Sequence, residues 1–283
     1  MERTSEIRAL VSLLADDDVR IGSMVWENLL RLGAEALPVL REACEAPDPR
    51  LRARARHTLD RLAFEQIQAD LRALCAAPEE AFDVEGALHA LGRMEDPDLP
   101  RGLAAGRLDA LAREAGPRAA VAPTALDRVT AVNEVLFGEE RFSAPLRSQV
   151  AFRHFCLHRV LELRAGAPAL LASTYLLLGD RVGLPLSVVW LPTHDLLRLE
   201  ADGGEWYIDP ARGGRVLSRR ECIHTCLRDY HPKDSYIKEV GRRDLVIRAA
   251  RGMMLFCART KDRVRSERLD RLLEILQTRE RAR

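Results

Sequence analysis

Tyr207-Ile208-Asp209-Pro210-Ala211-Arg212-Gly213-Gly214-Arg215 is the stretch on which the reading of this chain turns. Its first residues finish an apolar segment, 205–208, that fits a short strand. Asp209 stands at the end of that strand. Arg212 and Arg215 flank two glycines. That pattern fits a tight turn with a solvated rim, and the same two guanidiniums could grip an anion or a carboxylate.

Two more strand candidates lie upstream, at 186–191 and 195–200. Ala201-Asp202-Gly203-Gly204 is a hairpin signal between the last two. His194, after Pro192-Thr193, heads the middle strand. Antiparallel pairing would bring His194 and Asp209 together, and a carboxylate beside an imidazole orients the ring and stabilises its cation. A thiol at a nearby helix N-terminus would complete a Cys-His-Asp triad, because the helix dipole favours thiolate. A helix of that kind is expected at 169–178. Gly166-Ala167-Pro168 opens it, with proline tolerated in the first turn, and Gly183-Leu184-Pro185 closes it.

Outward from this centre the chain reads as helices. Helical spacing is present in 152–163, in 81–93, in 103–114 and in a short stretch at 127–136. Gly116-Pro117 begins a looser segment. Ser218-Arg219-Arg220-Glu221 fits a capping box. In the helical tail, 241–276, Leu269, Leu272, Leu273 and Leu276 follow amphipathic spacing. Near the start, Leu10, Leu13 and Leu14 share one helical face. Asp16-Asp17-Asp18 can cap the next helix, which Gly33 closes. Leu37 and Leu40 begin a third helix, which Pro47 and Pro49 stop, and Leu51, Ala55, Leu59 and Leu62 form a fourth. A weak repeat, offset by about 30 to 32 residues, relates 16–32 to 47–62 and resembles paired-helix HEAT units.

Residues 81 to 240, roughly, resemble the SirB-type bacterial proteins, which carry the second kind of transglutaminase-like core. The motifs that carry the resemblance begin with Ala81-Phe82-Asp83-Val84-Glu85-Gly86-Ala87-Leu88 and Glu95-Asp96-Pro97-Asp98-Leu99. Asn133-Glu134-Val135-Leu136-Phe137 and His158 through Pro168 follow, then Gly183-Leu184-Pro185, His194 with Arg198, and most specifically 207–215. The resemblance implies a papain-like fold with a Cys-His-Asp triad. Carried over residue by residue, the histidine falls on His194 and the aspartate on Asp209. The cysteine position falls on Pro168 or its immediate neighbour, and no thiol lies between Cys156 and Cys222. Proline has no nucleophile, so acyl-enzyme chemistry has no starting point there. Many members of the family also lack the cysteine. Thr193 and Asp195 flank His194 where the family usually shows a glycine and an aromatic residue. Asp195 is expected to alter the surroundings of the imidazole.

Other thiols read more simply as packing groups. Cys156 is expected to be a buried helix residue. Cys222 and Cys226 are four apart and can share a helix face, while His224 points elsewhere, so no metal set forms. No metal or other cofactor is expected.

The chain has 283 residues, 47% hydrophobic and 31% charged, enough for a sizeable core. With 44 Lys+Arg against 43 Asp+Glu, its net charge of +1 gives no electrostatic case for nucleic acid or an acidic membrane. The mixed-charge segment 259–271 fits a solvated helix face. The polar start and the shortness of the uncharged run 165–179 argue against export and membrane spanning, and scattered cysteines fit a cytoplasmic protein.

The expected fold is therefore α+β and mostly helical. A HEAT-like array (1–63) and a helical entry segment (64–116) precede a transglutaminase-like core with a small antiparallel sheet (117–240), and C-terminal helices (241–283) follow. The expected function is a non-catalytic module that binds a protein or peptide, with Arg198, Arg212 and Arg215 as candidate binding residues. One alternative is an amidase or peptidase using a surrogate thiol, Cys156 or Cys222. The other is a purely structural helical-repeat adaptor.

Overall fold

The computed structural model describes residues 2–191, 194–201, 203–226 and 237–278. Helices dominate, and five strands form one antiparallel sheet, so the mostly helical α+β class holds. Two compact units divide the chain, Met1–Ala69 and Asp70–Arg283.

The first unit holds α1 (Glu2–Ser12), α2 (Val19–Leu32), α3 (Leu37–Ala43) and most of α4 (Pro49–Cys75). Asp18 begins α2 by accepting from the Arg20 amide at 2.8 Å, and Asp48 accepts from the Arg50 amide at 2.9 Å at the start of α4. The two halves of the weak repeat thus share one capping device. Gly33 closes α2 with φ +52°. Ile7, Val11, Val25, Leu29, Val39, Leu40 and Leu62 form a core within this unit. α4 runs unbroken past residue 63, where sequence patterning suggested a boundary.

The second unit is built on α9 (Pro168–Val182), in which every residue from Ala169 to Gly179 is buried. A helix apolar on all sides must be covered on all sides. α6 (Leu103–Val121) and α11 (Arg243–Thr260) pack against it, as do α5 (Val84–Gly92), α8 (Leu157–Leu163), β1 (Leu186–Leu191) and β2 (His194–Ala201). Its three buried hydroxyls are all satisfied: Ser173 donates to the Ala169 carbonyl and Thr174 to the Leu170 carbonyl within the helix, and Tyr175 donates to the Val129 carbonyl at 3.4 Å. α7 (Ala125–Asn133) continues into a π-helical turn, Glu134–Glu139, and α12 (Arg263–Gln277) pairs with α11.

The sheet adds β3 (Gly204–Asp209), β4 (Arg215–Ser218) and β5 (Lys238–Val240), in the order β4-β3-β2-β1-β5. Leu191 pairs with His194, Val189 with Leu196, Ser187 with Arg198, Arg198 with Tyr207, and Tyr207 with Leu217. Paired residues share a face and the side-chain period is two. One face therefore carries Val189, Leu191, His194, Leu196, Arg198, Tyr207, Asp209 and Leu217. It is covered by α10 (Arg219–Cys226), whose Cys222 and Cys226 join its apolar cluster. The other face carries Leu186, Asp195, Leu197 and Leu199. Leu186 lies against Gly179 of α9, where a Cβ would come within 2.6 Å of its Cδ1.

Local structure departs from the sequence pattern in three places. The segment 152–163 is not one helix. A 3-10 turn, Phe152–Phe155, precedes α8, and Cys156 between them is extended. His154 causes the break: its Nδ1 accepts from the Ala151 amide at 2.9 Å, and its carbonyl accepts from the Ala167 amide at 2.8 Å. Gly116-Pro117 does not end α6. The buried seam Ala104, Leu108, Leu111, Ala115 and Ala119 continues through it, while Pro117 sits on the exposed side. β4 and β5, of four and three residues, carry no strand pattern of their own. The expected hairpin turn includes Asp202, which lies outside the described residues, although Ala201 and Gly204 do pair across it.

Candidate functional site

The site is assembled where β2 begins and β3 ends. His194 is half-buried at the head of β2, and Asp209, at 1% exposure, ends β3. Pro210–Arg212 then forms a 3-10 turn, and Gly213 and Gly214 follow with φ +69° and +71°. That left-handed pair swings the chain back into β4, so the turn reading of Arg212-Gly213-Gly214-Arg215 fits the backbone. The turn is also clamped from α7. Asn133 Nδ2 donates to the Gly214 carbonyl at 2.8 Å, and a Cβ on Gly214 would fall 2.0 Å from Asn133 Oδ1.

Arg212 is the residue that joins the histidine to the aspartate. Its Nη1 donates to Asp209 Oδ2 at 3.1 Å and lies 2.5 Å from His194 Nε2. A guanidinium cannot accept a hydrogen bond, so His194 Nε2 must be the acceptor and the neutral ring carries its proton on Nδ1. The imidazole and the carboxylate are thus linked through a cation. A lone pair held by a guanidinium N–H is not free to take a proton from a nucleophile.

The thiols on the imidazole's side of the sheet come from α10. Ser218 and Glu221 cap that helix reciprocally: Glu221 Oε2 accepts from the Ser218 amide at 2.8 Å, and the Glu221 amide donates to Ser218 Oγ at 3.3 Å. Arg219 fastens its first turn to β3, donating to Glu205 at 2.9 Å and to the Tyr207 hydroxyl at 3.1 Å. Cys222 and Cys226 then face the sheet while His224 is exposed. Burial disfavours ionisation of both thiols, and the imidazole of His194 favours thiolate at Cys226.

The remaining site candidates are placed elsewhere. Pro168 is exposed at the first position of α9, with Ala167 ahead of it and no side chain that can attack. α9 packs on β2 and on the Pro210–Arg212 turn. Cys156 is fully buried, and burial pushes its thiol well up. Arg198 lies two side-chain repeats along β2 from His194, within an ion-pair group of Glu200 at 3.0 Å, Glu205 at 3.3 Å and Glu239. Arg215 is exposed at the start of β4, paired in register with Asp209. Asp195 faces away from the imidazole's side of the sheet and pairs with Arg248 of α11. Burial raises its carboxyl, and Arg248 counters this. Thr193 lies outside the described residues.

Sequence patterning missed Cys226, and Arg248, whose Nη2 donates to the Leu191 and His194 carbonyls at 3.5 Å behind the site. Cys226 carried a signal, since a Cys-x3-Cys pair on a capped helix next to a short strand can share one face, but nothing local aimed that face at His194. Arg248, distant in the chain, carried none.

A buried central helix packed on a small antiparallel sheet is the architecture of a transglutaminase-like core. Residues 104–251 match the family model for the transglutaminase-like superfamily, and the chain belongs to that superfamily. It is 31% identical over 157 residues to a UPF0162 protein of Xylella fastidiosa (strain 9a5c), covering 53% of this chain and 56% of that protein. It is also 32% identical over 80 residues to a UPF0162 protein of Pasteurella multocida (strain Pm70), covering 28% of this chain and 30% of that one. A stretch of 100 residues is 31% identical to the F-box only protein 21 of Mus musculus, covering 32% of this chain and 16% of the mouse protein. The chain spans about half the length of the first of these relatives. No solved structure matches it. No helix among the described residues is long and apolar enough to cross a membrane.

Proposed function

We propose that this transglutaminase-like core is a non-catalytic binding module for a protein or peptide segment bearing a carboxylate. The observation that carries the reading is Arg212, which sits between His194 and Asp209 and holds the Nε2 lone pair. With Pro168 at the position of the family thiol, the triad lacks both its nucleophile and its free base. What is left at the rim is cationic: Arg212 is half-exposed and Arg215 exposed, a pair suited to a carboxylate. Arg198 belongs to this surface only if its glutamate partners yield to a ligand. On this reading the first unit is a short HEAT-like array that offers a second interaction surface, and the protein works in the cytoplasm.

One observation favours a second reading, an amidase or peptidase with a surrogate thiol. Cys226 lies on the face of the sheet that carries His194, whose charge favours its thiolate, so the surrogate would be Cys226 and not Cys156 or Cys222. A library of immobilised acidic and C-terminal-carboxylate peptides, assayed with the full chain for both capture and amine release, separates the two. The expected result is capture that is lost in R212A and R215A, with no amine release above buffer. Amine release that disappears in H194A and C226S would reverse the ranking. Failure to capture any such peptide would remove the carboxylate specificity.

A further inference from the structure

Asp195 interrupts an apolar face. On its side of the sheet β1 and β2 otherwise bury Leu186, Val188, Leu197 and Leu199. The Asp195 side chain is 11% exposed, and Arg248, 19% exposed, reaches it from α11 to form an ion pair between Nε and Oδ1. The neighbours of Arg248 on α11, Leu245, Ala249 and Ala250 among them, are buried and apolar. A leucine facing a methionine would fill the same space without taking two charges out of water, and such replacements of buried ion pairs are often neutral or stabilising. The pair is therefore not explained by packing or stability; what it supplies is a fixed geometry.

That geometry is directed at the histidine. Arg248 Nη2 donates to the Leu191 carbonyl and to the His194 carbonyl, each at 3.5 Å. Leu191 and His194 are the terminal pair in the register of β1 and β2. Asp195 is the next residue of β2, so one guanidinium holds His194 by its own carbonyl and by the side chain that follows it. A planar fork can make both contacts at once, which the compact ammonium of lysine cannot. Successive side chains of a strand point to opposite faces, so Arg248 acts from behind the sheet, and it reaches the imidazole only through the backbone.

We propose that Arg248 is a positioning residue, which fixes the backbone at the head of β2 so that the His194 ring meets Arg212. The ring nitrogen stands at the far end of the side chain, where a small tilt of the His194 backbone is enough to spoil a hydrogen bond that depends on both distance and angle. The value of this role to the protein rests on the reading of His194 and Arg212 as part of a carboxylate-binding surface. The positioning itself does not, because it can be read from the imidazole with no ligand present.

The test uses the nitrogen-labelled full chain and the double variant D195L/R248M, since R248M alone would strand a buried carboxylate. The double variant is expected to melt close to the parent while the His194 Nε2 signal moves from its wild-type position. Adding R212A to it should move that signal by less than half of what R212A does in the parent. R248K, which keeps the charge and loses the fork, should shift the signal in the same direction and by less. A double variant that folds with the parent's His194 signal and the full response to R212A would overturn the proposal. Should the double variant not fold, R248K decides alone, and an unmoved His194 signal in it would overturn the proposal equally. Capture of acidic peptides, measured separately, keeps the two readings apart: a parent that captures none, with a His194 signal that still depends on Arg248, fails the carboxylate surface and leaves the positioning role standing.

Discussion

At Gly214 two requirements meet in one residue. Its φ of +71° is one that side-chain-bearing residues adopt only at a cost, and its Cα lies under Asn133 Oδ1 and the Phe137 ring. The turn it closes carries Arg212, and Asn133 Oδ1 is itself buried with no hydrogen-bond partner among the described residues. Replacing Gly214 with alanine is expected to destabilise the protein by about 1–3 kcal/mol from strain and overpacking. It should also detach Arg212 from His194. Thermal melts combined with imidazole NMR of the variant read the two effects separately, and a variant with unchanged melt and unchanged His194 signals would contradict this role. The glycine pair and the turn were legible in the sequence because left-handed backbone has a compositional signature. The insertion of Arg212 between His194 and Asp209 was not, because a local pattern does not say which of two nearby cations reaches back three residues to its own strand end.

Elements were legible where an apolar run or spacing was distinctive and bounded by turn residues. α9 could be read from an uncharged run with proline in its first turn, and β1 to β3 from short apolar segments separated by turn residues. The failures have local physical causes. His154 diverts the backbone at Cys156, and the short edge strands are held by register with β3 and β1 and not by their own composition. Pro117 shows that a proline can be outvoted. The ring removes one helical hydrogen bond, but the exposed side of α6 lets water satisfy the freed carbonyl, and the buried seam holds the helix together. Substituting alanine restores the missing donor, worth up to about 3 kcal/mol in a helix interior, against the loss of proline's restraint on the unfolded chain of about 0.4–1 kcal/mol. The P117A variant is therefore expected to melt a few degrees higher than the parent. A lower melting temperature would show that Pro117 sets a bend the packing needs.

Over the whole molecule, near-balanced charge leaves stability to the core and to a few buried polar groups. Three histidines are held below their ordinary value of 6.5, each first by burial: His89, His154 and His158. His158, at 3% exposure, has Nε2 3.1 Å from Glu95, which counters the burial in part, while its Nδ1 has no hydrogen-bond partner among the described residues. In the unfolded chain these rings take up protons near pH 6.5, and in the folded protein only at lower pH. Between the two values the unfolded state binds more protons. Their contribution is therefore complete above about pH 6.5 and is lost as pH falls toward the folded values. Calorimetric melting temperatures are expected to drop between about pH 7 and pH 5.5, before most carboxylates titrate, and to drop less steeply in H158Q. A melting temperature that stays level or rises on acidification across that window would contradict the burial of these rings.

The guanidinium at the His194 ring is the point from which the functional reading follows, and long-range proton–nitrogen correlation of the imidazole in the labelled full chain examines it most directly. A neutral ring protonated on Nδ1, with Nε2 bare and its signal moved by R212A, is the expected spectrum. A ring protonated on Nε2 and bonded straight to Asp209, unmoved by R212A, would restore the acid–imidazole pair of a working triad and contradict the account.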